Sequence, residues 1–166
     1  KKGSGETIWE LKSRFGKVSN ELHNRYLRGW RVLDVVVSGF FDSVGLYDES
    51  GATESSIAKT WLETFGLSSL ISSYYDEISF GQQRMVLLAR AMVKSPKILI
   101  LDEPCVGLDN YHRVLILGVI DLISKKTETQ IIYVSHTKNE MPNCINIRLI
   151  FTPSAGGPSS VRIERL

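Results

Sequence analysis

The chain has 166 residues and a mass of 18.7 kDa, the size of one domain, which excludes a large multidomain machine within this stretch. Its 43% apolar and 23% charged composition is that of a folding globular chain and excludes a disordered tail or a collagen-like repeat. Lys and Arg total 20 against 18 Asp and Glu, a net charge of +2, so no strong field draws it to nucleic acid or anionic lipid, and no nucleic-acid partner is expected. Cys105 and Cys144 cannot build a disulfide framework, and neither has a Cys or His at zinc-site spacing, which predicts a reducing, cytoplasmic setting. The best apolar run, 114–123, is too short to span a bilayer and is interrupted by Asp121. The sequence opens on Lys1 with no methionine and no signal-peptide core, and reads as a cut.

Residues 14–22 alternate weakly, with Phe15 and Val18 among polar neighbours, and predict a short strand or a loop leading out of one. The β-branched run within 30–43 fits a strand or a buried helix; its length and apolar spacing favour helix. A polar, Gly-containing turn at 48–53 follows. Thr53 then caps an amphipathic helix carrying Ile57, Ala58, Trp61, Leu62 and Phe65, which Gly66 stops. A short apolar segment at 67–71 precedes a strong helix over 82–93, ended by Pro96.

The run 98–101 is continuously apolar and ends on Asp102-Glu103-Pro104, the pattern of a parallel strand buried on both faces. A helix over 111–124 and a second buried strand over 130–134, ending on Ser135-His136, complete a βαβ unit. Residues 145–151 and 161–166 predict two strands joined by a Pro- and Gly-rich loop at 152–160. No internal repeat is found.

Ligands of open α/β sheets collect beyond the carboxyl ends of the parallel strands, and here those ends carry Asp102, Glu103 and His136. An acidic pair after an apolar strand suits phosphoryl transfer, one carboxylate supporting Mg2+ and the other orienting or deprotonating a water, with His136 sensing the γ-phosphate. Alone, the pair is an ordinary solvated strand end. The segment Ser79-Phe80-Gly81-Gln82 supplies the context: a hydroxyl, a turn and the positive end of a helix dipole suit an anion, although by itself this too is only a helix cap.

With Gly107-Leu108-Asp109 after the acidic pair and His136 after the next strand, the chain resembles the nucleotide-binding cassette of ABC-type ATPases from Arg14 onward. The resemblance implies a P-loop NTPase-like α/β fold, a three-layer parallel sheet with an inserted helical subdomain, present as a partial domain. Residues 1–29 would be a remnant of the N-terminal core with the Q-loop region. The helical subdomain would occupy 30–77, the signature, Walker B, D-loop and switch-histidine core 78–150, and a C-terminal strand region 151–166. More narrowly, residues 3–9, the stretch 38–47 and the aromatic at position 80 are similar to the tandem-cassette molybdate-transport ATP-binding proteins.

The resemblance further implies a head-to-tail dimer of two cassettes sandwiching ATP and Mg2+, with a transmembrane permease as a further partner and a place on the inner face of the plasma membrane. Ser79, Phe80, Gly81 and Gln82 would then serve the partner's nucleotide. Asp102 would support Mg2+ through water, Glu103 would polarise the attacking water, His136 would complete that site, and Asp109 would link the two sites.

Three features depart from the family pattern. The phosphate-loop motif G-x-x-x-x-G-K-[ST] does not occur, and in residues 3–7 Glu6 stands where a lysine is needed, so that segment reads as a surface turn. The family places the loop upstream, so this stretch reads as lacking it and as inactive alone. Asn20 replaces the glutamine that contacts Mg2+ and the attacking water, and is one methylene shorter. Phe80 replaces the first signature glycine.

The remaining candidates take structural readings. His23 and His112 are expected on solvated or partly packed surface, Trp9, Trp30 and Trp61 in packing, and Cys105 as a small packing residue rather than a reactive thiol. Arg84 suits a phosphate or an ion pair with Asp76 or Glu77, and the pair is favoured. Beside the ATPase stand two alternatives: a non-hydrolysing half-module that offers its signature face to a partner's ATP, and a soluble non-transport relative.

Overall fold

The computed structural model describes residues 7–23, 29–43, 51–137, 140–153 and 160–166. Helix α1 (Ile8–Ser13) starts in a capping box, Thr7 accepting from the Glu10 N–H and the Glu10 carboxylate accepting from the Thr7 N–H. Strand β1 (Phe15–Val18) follows, then the single turn α2 (Asn20–His23). The run read as strand or helix is helical: α3 (Val32–Val37) continues into a 3-10 turn over Ser38–Phe41. Val32, Val35, Val36 and Val37 are all buried, so tertiary packing outweighs the β preference of a valine run. Residues 48–50 of the expected polar turn lie outside the described residues, as do 44–47 of the stretch 38–47, the side chain of Trp9 and the loop 154–159.

Helix α4 (Ala52–Thr64) is capped by Gly51, not by Thr53, which lies inside the helix. Gly51 takes the extended conformation a cap requires, and glycine serves there at little cost. The helix does stop at Gly66, in a Schellman motif: Gly66 at φ +74° donates to the Glu63 carbonyl at 2.9 Å, and Leu67 to the Leu62 carbonyl at 2.8 Å.

Helix α5 (Phe80–Met92) is buried through nearly its whole second half, packed against α3, α4 and β1. The order then runs β2 (Ile98–Asp102), α6 (Asn110–Lys126), β3 (Gln130–Val134), β4 (Ile147–Thr152) and β5 (Ser160–Arg165). Strands β1, β2 and β3 form one parallel sheet in that order, in a register that pairs Val18 with Leu101 and Asp102 with Val134. The βαβ unit β2–α6–β3 is therefore present. Strand β3 is not the doubly buried strand expected: it borders the sheet among the described residues, and Ile132 and Val134 stay 49% and 46% exposed. Strands β4 and β5 pair antiparallel as a separate hairpin, with Ile147, Leu149, Phe151 and Ile163 exposed. No described helix is long and apolar enough to cross a membrane.

Candidate functional site

The carboxyl ends of β2 and β3 bring the acidic pair and the histidine together. Glu103 leaves β2 at φ +51°, a left-handed conformation that costs a non-glycine residue about 1–2 kcal/mol and therefore needs support. Its N–H donates to the Val134 carbonyl at 3.0 Å. That turn aims the side chain across the sheet, where Oε1 accepts from the His136 N–H at 3.1 Å and from its Nδ1 at 2.5 Å. A carboxylate only accepts, so Nδ1 carries the proton and Nε2 is left facing outward on a ring that is 78% exposed. Asp102 stands beside this pair, exposed at the strand end.

A second group gathers at the start of α5. Ser79 and Gln82 form a capping box: Ser79 Oγ accepts from the Gln82 N–H at 3.3 Å and Gln82 Oε1 from the Ser79 N–H at 2.9 Å. Gly81 is glycine for packing, since a Cβ there would stand 2.1 Å from His112 Cδ2. His112 is held in turn by Asp109, the cap of α6, whose Oδ2 meets His112 Nδ1 at 2.8 Å and whose Oδ1 accepts the His112 N–H at 2.8 Å. These hydrogen bonds from His112 hold the Asp109 carboxyl below the usual range. Asp109 thus reaches the signature segment through the His112 ring.

Asn20 lies just past β1 on the same sheet edge, and Arg84, not expected there, meets it. The Arg84 guanidinium donates through Nη2 to Asn20 Oδ1 and lies over the Phe80 ring, 5.0 Å from its centroid. It does not pair with Asp76 or Glu77, because it points inward and is only 2% exposed. Burial pushes its pKa down. Its clue was the four-residue step from Phe80 to Arg84, which stacks the two side chains on one helix face.

His23 completes this wall, its ring 4.6 Å from that of Phe80 and its Nδ1 3.3 Å from the Tyr75 hydroxyl. Burial first, and the Arg84 charge second, lower its pKa below 6.5. The unfolded chain then binds the extra proton between the two values, so stability is full above the unfolded pKa and falls as pH drops through that window. Unfolding midpoints from pH 8 to 5 are expected to decline more steeply for the native chain than for His23→Gln; parallel curves would remove His23 as a source of acid sensitivity.

Cys105 is buried under Tyr133, whose hydroxyl approaches its sulfur at 3.7 Å, and burial pushes the thiol up to about 12. That is a packing cysteine, with its thiolate suppressed. Trp30 and Trp61 pack partly buried against the core. The structure thus joins Glu103 with His136, Gly81 with Asp109 through His112, and Phe80 with Asn20 through Arg84.

A parallel sheet with its ionisable side chains at the strands' carboxyl ends defines an α/β protein whose candidate site lies where such sheets usually bind ligands. A family model for the ABC transporter matches residues 4–106, and the chain belongs to the ATP-binding cassette family of ABC transporters. The match begins ahead of Arg14, taking in the segment with Glu6. The chain is 41% identical over 157 residues to the ABC transporter ATP-binding protein ModF of Escherichia coli, covering 94% of this chain and 32% of that protein. It is 34% identical over 85 residues to the molybdenum import ATP-binding protein ModC of Saccharophagus degradans, covering 51% of this chain and 24% of that one. The dimeric structure of a bacterial ABC transporter cassette superimposes with a TM-score of 0.67 over 87% of this chain and 61% of that chain at 20% identity, which shows the fold. The chain therefore spans about a third of the first relative's length.

Proposed function

We propose that this chain is the C-terminal portion of an ATP-hydrolysing cassette that, joined to a phosphate loop, binds Mg-ATP at a head-to-tail dimer interface and drives transport, with molybdate as the substrate. The observation that carries the reading is the Glu103–His136 pair at the ends of β2 and β3. Glu103 accepts a proton from the attacking water, and His136, oriented by its Nδ1–H bond to Glu103, donates Nε2–H to a γ-phosphate oxygen in its doubly protonated form. Molybdate is supported by the likeness to a molybdenum import ATP-binding protein.

The donor set fits Mg2+. No group of three His, Cys, Asp or Glu side chains that could hold a metal exists among the described residues, and Asp102 offers one exposed carboxylate. Mg2+ characteristically takes one or two carboxylates and fills its remaining positions with phosphate oxygens and water. When bound it neutralises charge developing on the phosphates. Asp102 would hold it, through water.

Residues 1–29 belong to the core with the Q-loop, 30–77 to the helical subdomain, 78–150 to the core carrying the signature and switch histidine, and 151–166 to the terminal strands. Ser79, Phe80, Gly81 and Gln82 face the partner's nucleotide, Gly81 through its backbone because His112 covers its Cα. Asp109 links the two sites through His112. The cassette acts in the cytoplasm, peripheral on the inner membrane face where a permease joins it.

The test compares Mg-ATP binding and hydrolysis by these 166 residues with those of a form extended N-terminally through a phosphate loop. Only the extended form is expected to bind and turn over ATP. A short chain that stimulates a partner cassette unaided would favour the half-module, a reading supported by the absence of the phosphate-loop motif from these residues. In the extended form, Ser79→Ala removes a cap worth about 1 kcal/mol of stability and an oxygen facing the partner's nucleotide. It should weaken nucleotide-dependent dimerisation at least ~10-fold, the cost of one charge-assisted hydrogen bond, while leaving monomeric ATP affinity unchanged. Sedimentation with and without ATP reads this, and unaltered dimerisation would detach the signature from that role.

A further inference from the structure

Two of the three departures from the family pattern, Asn20 and Phe80, meet on a single buried cation. Arg84 is 2% exposed, lies over the Phe80 ring and donates through Nη2 to Asn20 Oδ1. Its Nε and Nη1 find no acceptor among the described residues. A guanidinium has five N–H donors and no acceptor, so the Asn20 amide has only one possible orientation, oxygen toward Arg84 and NH2 away from it. A buried guanidinium missing most of its acceptors is costly already. Surrendering Oδ1 to a metal ion would strip it of the one hydrogen bond described and place a dication on an oxygen that already faces a cation.

Asn20 stands at the sheet edge that bears Asp102 and Glu103, since β1 and β2 run parallel with Val18 opposite Leu101. We infer that Arg84 is a positioning residue that makes Asn20 a hydrogen-bond donor to a phosphate oxygen of the nucleotide, in place of the amide-oxygen contact to Mg2+ that the family pattern implies. This rests on the ATP-binding reading above. The Phe80 ring, where the family has glycine, is then the platform that keeps the Arg84 plane aimed at Asn20.

The test uses the full-length protein that contains this chain, in two measurements. Without nucleotide, a urea double-mutant cycle of Arg84→Met and Asn20→Ala is expected to show coupling of roughly tenfold or more in the unfolding constant, as for a hydrogen bond to a charged group. Additive effects would overturn the pair. With ATP, calorimetry is run in Mg2+ and again in EDTA. Asn20→Ala should weaken binding by the same factor, roughly tenfold, in both conditions. A loss confined to Mg2+ would return Asn20 to the metal and overturn the donor role. Arg84→Met should match the Asn20→Ala loss and the double variant should add nothing to it; unchanged affinity in Arg84→Met would leave Arg84 merely structural. Asn20 is exposed, so its variant remains readable even if Arg84→Met does not fold. Absence of ATP binding by the unaltered protein would overturn the ATP reading and the donor role with it, while the nucleotide-free cycle still decides the pair.

Discussion

Glu103→Gln in the full-length protein is expected to lower ATP turnover by ~10²-fold or more while preserving ATP binding, so that a nucleotide-bound dimer accumulates. The size is that of losing a positioned general base. The substitution keeps the shape of the side chain and an amide oxygen that can still accept the His136 N–H and Nδ1–H, now made to Glu103 at 3.1 and 2.5 Å. What it removes is the capacity to take a proton from water. Loss of turnover with retained binding would therefore separate chemistry from architecture, and undiminished hydrolysis would sink the assignment. The left-handed backbone of Glu103 tolerates the change, because glutamine meets the same steric limits as glutamate.

The second large effect is on stability. Gly39→Ala is expected to destabilise the fold by about 3 kcal/mol or more, the upper range for overpacking a tight contact. A Cβ at Gly39 would stand 2.1 Å from the Arg90 carbonyl oxygen and 2.8 Å from Val93 Cγ2. The first obstacle is helix backbone, which yields only if α5 moves as a body. Arg90 also ties the 3-10 turn to α5, its Nε donating to Ser38 Oγ at 3.2 Å and its Nη2 to the Ser43 carbonyl at 2.8 Å. Gly118, mid-helix in α6 with nothing within 4 Å of its would-be Cβ, is the control: alanine there should stabilise by about 0.5–1 kcal/mol. Urea midpoints at constant m-value read both, and a Gly39→Ala change within about 0.5 kcal/mol of wild type, the range of neutral surface substitutions, would refute the close approach.

The stretch 38–47 carries part of the likeness to molybdate-transport cassettes. At Gly39 and Ser38 the structure supplies a physical reason for part of it: the turn needs no side chain where it crosses α5, and a hydroxyl where Arg90 arrives. Sequence could mark the residues but could not say which helix they meet.

What the sequence determined by itself is whatever depends on neighbours along the chain. The run ending at Asp102 declared a parallel strand, Gly66 a helix stop, and the segment 79–82 a helix cap. Each rests on local periodicity or local hydrogen bonding, which a single segment encodes. The acidic pair and His136 could be placed together because consecutive parallel strands end on the same edge. Tertiary structure alone decided the partnerships between residues far apart in sequence. By sequence Arg84 suits a phosphate or a pair with Asp76 or Glu77, yet α5 is so enclosed by α3, α4 and β1 that its side chain turns inward and finds Asn20. Strand β3 is apolar enough for a buried strand, yet Gln130, Ile132 and Val134 share one exposed face, and what covers a face of the sheet is specified by no pattern of apolar residues. His112 lies on partly packed surface as expected, but only the packing of α6 against α5 decides that its ring fills the space that Gly81 leaves. Local propensity chooses the element; only packing of distant segments against one another chooses which side chains share a site, because that choice is made by shape and desolvation in three dimensions.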